Sequence, residues 1–304
     1  MSVNKIFLVT LILGKLALGR YLTKESEKMV QISNMIFDIL TGTIVPIRKL
    51  LITAFILTNA STLACYSQSY SNVSIYETKL NHEINPIGID TEKPDFSWKL
   101  KSEKRNSYQF AYQIVVLAEN TTDTCWNSGM VISDNNILVK YAGKLLKSVN
   151  SYRWRVRIWD NDRKTSKWSV ENSFTTGLLS EHDWKADWIS SPDTFYSPVF
   201  VKQFKIDKIP DRANLFVNCQ GYFELYINGK KVGKDVLSPA VSDFRFENYY
   251  LTYDVRDYLR KGDNTIGLWT GKGWYSDGLP GVIHKSPVFR LQAHLSSKSA
   301  NTVL

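Results

Sequence analysis

Residues Tyr152-Arg153-Trp154-Arg155-Val156-Arg157-Ile158 alternate large apolar and basic side chains without a break. That period of two belongs to a strand. Tyr152, Trp154, Val156 and Ile158 then face a core while Arg153, Arg155 and Arg157 face away. A slip of one residue would bury three guanidinium groups, so the cost of desolvating them fixes the register. The arginine row invites reading as a ligand-binding stripe. Exposed faces of antiparallel sheets are routinely charged, however, and Arg there discourages unwanted sheet association, so the structural reading is preferred.

Beyond residue 80 the chain keeps the same grammar. Short apolar runs recur between Gly, Asn, Asp and Ser clusters, and no stretch of helical period is long enough for a major helix. Strands are predicted at 96–101, 108–118, 137–141, 151–161 and 173–176. Residues 80–178 therefore have the size and spacing of an immunoglobulin-like or fibronectin type III sandwich. Residues 179–189 read as a linker. In residues 190–304 the clearest signal is Tyr222-Phe223-Glu224-Leu225-Tyr226-Ile227-Asn228-Gly229, an alternating strand that reaches an Asn-Gly turn and returns. Both central positions of that turn need positive φ, which Asn-Gly supplies, and Phe223, Leu225 and Ile227 point inward. Further strands at 249–255, 265–269 and 287–295, with a short turn at 257–259, make this unit a jelly-roll β-sandwich. The fold class is all-β, an immunoglobulin-like sandwich followed by a jelly roll, the second expected to be truncated after the strand at 287–295.

A chain of 304 residues, 43% hydrophobic and 22% charged, can build two cores, and disorder is not expected. Its formal net charge is +9, but residues 1–65 hold seven Lys/Arg against three Asp/Glu, leaving 31 against 26 beyond them. These basic residues are scattered among acidic neighbours instead of forming one stripe, which argues against nucleic-acid binding. Residues 1–65 read as a leader. An apolar run at 6–13 is broken by Lys15. A second, at 50–57, follows Arg48 and Lys49 and ends in Ser61-Thr62-Leu63-Ala64-Cys65, the basic, apolar, small-residue order of a secretory signal. Its position predicts Met29 or Met35 as the initiator. Both runs are short for a spanning helix, and a membrane hairpin of the two is the less favoured alternative. Leu63-Ala64-Cys65 makes Cys65 a candidate lipidation site, although Thr62 stands where an aliphatic residue is usual. The expected location is outside the cytoplasm, in the periplasm or at the cell surface, with membrane contact only through the leader or a lipid anchor. Residues 66–79, rich in Ser, Asn and Tyr, read as a tether with little structure.

Cys65, Cys125 and Cys219 are odd in number and widely spaced, so neither a disulfide framework nor a metal-ligand set is indicated. His182 and Asp183 sit in the linker without a third group to complete acid–base machinery and read as solvated or capping residues. Trp98, Trp126 and Trp168 are assigned to core or edge packing in preference to sugar platforms.

An ordered set of segments resembles the N-terminal part of bacterial α-L-rhamnosidases, a glycoside hydrolase family. In the first unit it comprises Asn85-Pro86-Ile87-Gly88-Ile89-Asp90, Pro94-Asp95-Phe96-Ser97-Trp98, Trp126-Asn127-Ser128-Gly129, Tyr152-Arg153-Trp154-Arg155-Val156 and Trp184-Lys185-Ala186-Asp187-Trp188-Ile189. In the second it comprises Gly221 through Gly229, Leu237-Ser238-Pro239, Tyr253-Asp254-Val255 and Gly271-Lys272-Gly273-Trp274-Tyr275. Pro239-Ala240-Val241-Ser242 departs from the family, which usually has Gly and Trp after the Pro. The resemblance covers roughly residues 80–290 and implies an exported accessory portion, with the catalytic helical barrel, which hydrolyses terminal α-L-rhamnose, expected elsewhere in the same polypeptide. No catalytic residue is assigned within the chain. The resemblance also implies a rhamnose-containing carbohydrate as a ligand of the jelly roll, in some members with calcium. The loops holding Asp243, Tyr249, Trp274, Tyr275 and Asp277 are the candidate carbohydrate-binding lip. The competing reading packs Trp274 and Tyr275 under the sandwich, and no alternating Asp loop of calcium type is present. The alternatives to an accessory domain are a stand-alone carbohydrate-binding module and a surface-attached structural protein.

Overall fold

A computed structural model describes residues 70–119, 123–192, 197–275, 279–282, 286–297 and 300–304. All lie in one compact unit, Ser69–Leu304. The leader, its initiator candidates and Cys65 lie outside the described residues, as does Asp277. The described chain is built from strands, with two 3-10 turns and no α-helix.

The first sandwich packs a three-stranded sheet, in the order β1 (Ser74–Leu80), β2 (Asp95–Lys101), β6 (Val139–Lys140), on a larger one. The larger sheet runs β4 (Thr124–Asn127), β3 (Gln109–Ala118), β7 (Ser151–Asp160), β8 (Asn172–Thr175), with β5 (Val131–Ile132) also on β3. The alternation sets β7 as expected: Tyr152, Trp154, Val156 and Ile158 are buried and the three arginines are half-buried. Pairing of Val156 with Ile114 and Trp154 with Val116 puts these side chains on one inner face. Phe96 meets Trp154 edge-on at 4.7 Å, across the sandwich. Trp98 is buried against Tyr112 and donates its indole N–H to Gln109 Oε1 at 3.0 Å. The Gln109 amide in turn donates to the carbonyls of Ser133 and Asn135, so a polar tip inside the core is fully bonded.

Trp126 packs against this core, but Trp168 lies on the outer face, with the guanidinium groups of Arg155 and Arg157 at 4.6 and 4.7 Å from its ring centre. Arg153 pairs with Glu171 at 3.0 Å and Arg157 donates to Gln113 at 2.8 Å. The arginine row is thus a half-buried ladder closed by an indole, in which Arg155 and Arg157 rest on the Trp168 ring and Arg153 is held by its carboxylate partner.

The tether reading of residues 66–79 is corrected at its C-terminal end, because Ser74–Leu80 is strand β1, with Thr78 and Leu80 buried. The pairing register with β2 shifts between Tyr76 and Lys79, and Glu77 takes φ 46°. A bulge of this kind interrupts the period of two that makes a strand visible in sequence.

The second sandwich has one sheet in the order β10 (Val199–Ile206), β15 (Gly262–Gly271), β12 (Tyr222–Ile227), β13 (Lys230–Lys231). The other runs β14 (Tyr250–Asp254), β11 (Arg212–Gln220), β16 (Val288–Ser297), β17 (Ala300–Val303), and β9 (Ile189–Ser190) also pairs with β16. The hairpin turn has Asn228 at φ 51° and Gly229 at φ 77°, both positive as required. Leu215, Val217, Leu225, Ile227 and Leu268 fill the core between the sheets, and burial pushes the Cys219 thiol up to about 12. After the strand predicted at 287–295, β17 returns antiparallel to it.

Candidate functional site

Strand β11 is buried on both faces. Ala213, Leu215, Val217 and Cys219 enter the jelly-roll core, so the opposite face, with Phe216 and Asn218, must be covered by something else. The cover is the linker. Neighbouring β16 aims Arg290, Gln292 and His294 at the same outer face, by alternation. Arg290 is buried, with its guanidinium 4.1 Å from the ring centre of Trp184 and 4.6 Å from that of Trp188. Both of its terminal nitrogens donate to the Glu181 carboxylate, the second at 3.0 Å. That pairing holds the Glu181 carboxyl below its usual range. Gln292 is equally committed. Its Oε1 accepts from the backbone N–H of Lys185 at 2.5 Å and of Ala186 at 3.1 Å, and its Nε2 donates to the Asp183 carbonyl at 3.0 Å.

His182 and Asp183 belong to a capped turn, as expected of them. Ser180 Oγ accepts from the His182 N–H, and the Asp183 carboxylate accepts from the Ser180 N–H and from the Ser148 hydroxyl. The first sandwich joins the same surface: the Tyr250 hydroxyl accepts from the Leu178 N–H at 3.0 Å and donates to its carbonyl at 3.2 Å. At Gly88, which has φ 69°, a side chain would lie 2.1 Å from Thr252 Oγ1, so only glycine allows this approach. The two sandwiches and their linker form one bonded joint.

His294 sits in that joint with Gln292 Nε2 2.6 Å from its Nε2, the Phe216 ring edge-on at 5.6 Å, and Asp183 and Lys185 lining the adjoining pocket of about 280 Å³. The Gln292 amide is oriented by its other bonds, so its Nε2 donates and His294 Nε2 accepts, which requires neutral imidazole. Burial lowers the His294 pKa from 6.5, opposed in part by Asp183. A lowered histidine pKa means the unfolded chain takes the proton first. Stability is therefore full above about 6.5 and falls as pH drops through that value, by at most about 1.4 kcal/mol per pH unit for one proton. Denaturant melts between pH 7.5 and pH 5 should show this slope, and His294→Asn should flatten it.

The proposed carbohydrate lip is built from two loops that touch. Phe244 and Tyr275 meet edge-on at 5.3 Å, and a side chain at Gly281 would collide with the backbone of Phe244 and Arg245. Tyr275 is buried, 1% exposed, so it braces the loops from below and does not face solvent. Trp274 is 51% exposed and edges the Tyr222 ring at 6.4 Å. Asp243 is held by Arg245 Nε at 2.9 Å and by its terminal nitrogen at 2.6 Å, which keeps its carboxyl below the usual range. Tyr249 is half-exposed and hydrogen-bonded to Glu247, which raises its phenol. Phe246, 82% exposed, is the most open aromatic of the lip and carried no sequence signal of its own. The lip thus presents Phe246, Tyr249 and Trp274 to solvent. Among the described residues no three His, Cys, Asp or Glu side chains converge, and the Asp243 carboxylate is engaged by Arg245.

Two β-sandwiches within one compact unit, immunoglobulin-like then jelly roll, with an aromatic lip on the second, define an all-β tandem. Residues 75–180 match the model for the Rha78A-like N-terminal immunoglobulin domain, and residues 208–299 match that for the alpha-L-rhamnosidase N-terminal domain. The chain belongs, over this region, to the N-terminal part of the α-L-rhamnosidase family. An alpha-L-rhamnosidase of Formosa agariphila is 34% identical over 230 residues, covering 66% of this chain and 24% of that protein. The solved alpha-L-rhamnosidase of Dictyoglumus thermophilum superposes with a TM-score of 0.69 at 33% identity, over 76% of this chain and 28% of that one. That of Aspergillus terreus gives 0.66 at 26% identity, over the same 76% and 28%. The chain spans about a quarter of the length of these relatives.

Proposed function

We propose that this chain is the accessory portion of an exported α-L-rhamnosidase, whose task is to fix the geometry of the N-terminal end of the enzyme and to offer a weak carbohydrate-binding lip. The observation that supports the architectural part is the joint: Arg290 between Trp184 and Trp188 fastens the linker to the second sandwich, and Ser148 and Leu178 tie the first sandwich to the same surface, in two domains that family matches place in tandem. The hydrolysis of terminal α-L-rhamnose named by the relatives is assigned to polypeptide beyond the region matched here. Export rests on residues 1–65, with Cys65 as the proposed lipid acceptor.

The lip reading rests on three solvent-facing aromatics, Phe246, Tyr249 and Trp274, which suit the apolar faces of a pyranose. Titration of the chain with L-rhamnose should quench tryptophan fluorescence saturably at millimolar sugar, and Trp274→Ala should remove the change. The chain alone should release no nitrophenol from 4-nitrophenyl α-L-rhamnopyranoside. Absence of any sugar response would leave the architectural role alone, and release of nitrophenol would overturn the assignment of hydrolysis to other polypeptide.

A further inference from the structure

Strand β10 is the outer strand of its sheet, and among the described residues it pairs with β15 alone. Thr270 N–H donates to the Pro198 carbonyl, which sets the phase of the ladder. The backbone groups of Val199, Val201, Gln203 and Lys205 accordingly turn toward the open edge, while those of Phe200, Lys202, Phe204 and Ile206 bond to β15. Natural proteins blunt or cover such an edge, yet this one carries Val199 at 57% and Val201 at 64% exposure. Beneath it opens a cleft of about 590 Å³ whose apolar wall includes Phe200, Phe204, Ile266, Leu268, Phe289 and Leu291. Lys202 lies on the same inward face as Phe200 and Phe204, lines the cleft, and forms no ion pair with a described residue.

We propose that the β10 edge is a docking site for one further extended polypeptide strand, antiparallel to β10, with apolar side chains entering the cleft and an acidic side chain opposite Lys202. Two features select a polypeptide over an aliphatic ligand. The edge offers backbone donors and acceptors that only another backbone satisfies in sequence, and the cleft lies directly inward of that edge. Lys185 and Asp187 line the far side of the cleft, and an acid beside Lys202 would neutralise the cation that β10 itself places among apolar walls, where a basic residue would be repelled. Resting on the proposed function for its source alone, the strand is assigned to the part of the α-L-rhamnosidase polypeptide that lies beyond the quarter matched here. The docking chemistry stands on the edge itself, and the test does not depend on that assignment.

The test is fluorescence anisotropy of a labelled, end-blocked peptide Thr-Leu-Thr-Glu-Thr-Leu-Thr with the full chain. Saturable binding is expected, weakened about tenfold when the peptide Glu is replaced by Lys or when the protein carries Lys202→Glu. Combining the Lys peptide with Lys202→Glu should restore affinity. Val201→Pro should abolish binding while leaving the thermal midpoint nearly unchanged, because the N–H it removes faces the open edge and not β15. No saturable binding, equal binding of the Glu and Lys peptides, or indifference to Val201→Pro would each overturn the proposal. So would a concentration-dependent dimer that Val201→Pro dissolves, which would make a second copy of the chain the occupant.

Discussion

Arg290→Ala should split the unfolding of residues 70–304 into two transitions. The substitution separates two domains that otherwise melt together. Each indole face over a desolvated guanidinium contributes on the order of 1 kcal/mol, so Trp184 and Trp188 together account for about 2 kcal/mol. The ion pair adds less, because the Glu181 side chain is 74% exposed while that of Arg290 is 7% exposed. Glu181→Gln should accordingly cost under about 1 kcal/mol and keep a single transition. Arg290→Lys should behave like the alanine variant, since an ammonium neither stacks between two rings nor donates in a fork. Calorimetry distinguishes these cases directly, and a single cooperative transition in Arg290→Ala would show that the Tyr250–Leu178 contact and Gly88 hold the sandwiches together without the clamp.

Trp154→Ala should be the most destabilising single change in the first sandwich. The side chain is fully enclosed, in edge contact with Phe96 at 4.7 Å, at the centre of a strand whose other face carries the arginine ladder. Removing it leaves a cavity that the paired β3 and β7 cannot collapse without disturbing their register, for an expected loss of about 3–5 kcal/mol. In a unit of this size, with both sandwiches melting together, that lowers the thermal midpoint by about 6–20 °C. Trp168→Ala offers the internal comparison, because it removes an equally large ring from the outer face and should cost only the cation–π contacts to Arg155 and Arg157, about 1–2 kcal/mol. Equal losses in the two variants would contradict the inward and outward assignment of β7.

What could be read in the sequence was the part governed by local periodicity. The alternation in β7 and the Asn-Gly turn after β12 carry their own registers, and the structure reproduces both. Strand β1 escaped because a bulge at Tyr76–Lys79 breaks its period, and β5 escaped because two residues, Val131 and Ile132, are too few to show one. The linker motif from Trp184 to Trp188 was visible as a resemblance, but its purpose was not. Its partner Arg290 stands 109 residues from Glu181, and nothing in the local pattern of β16 distinguishes a clamped arginine from a solvated one. The lip divides in the same way. Trp274 and Tyr275 are adjacent and equally aromatic, yet one is half-open and the other sealed, a difference decided by where Phe244 lies.

Gln292 gives both ends of its amide to the backbone of the linker and none to its side chains. The residues between Trp184 and Trp188 are therefore free to vary in kind but not in number. An inserted residue would draw one indole off the guanidinium or carry the Lys185 and Ala186 N–H groups past the amide that receives them. The joint acts as a gauge of chain length, and the orientation of one sandwich on the other is written in a spacing and not in an identity.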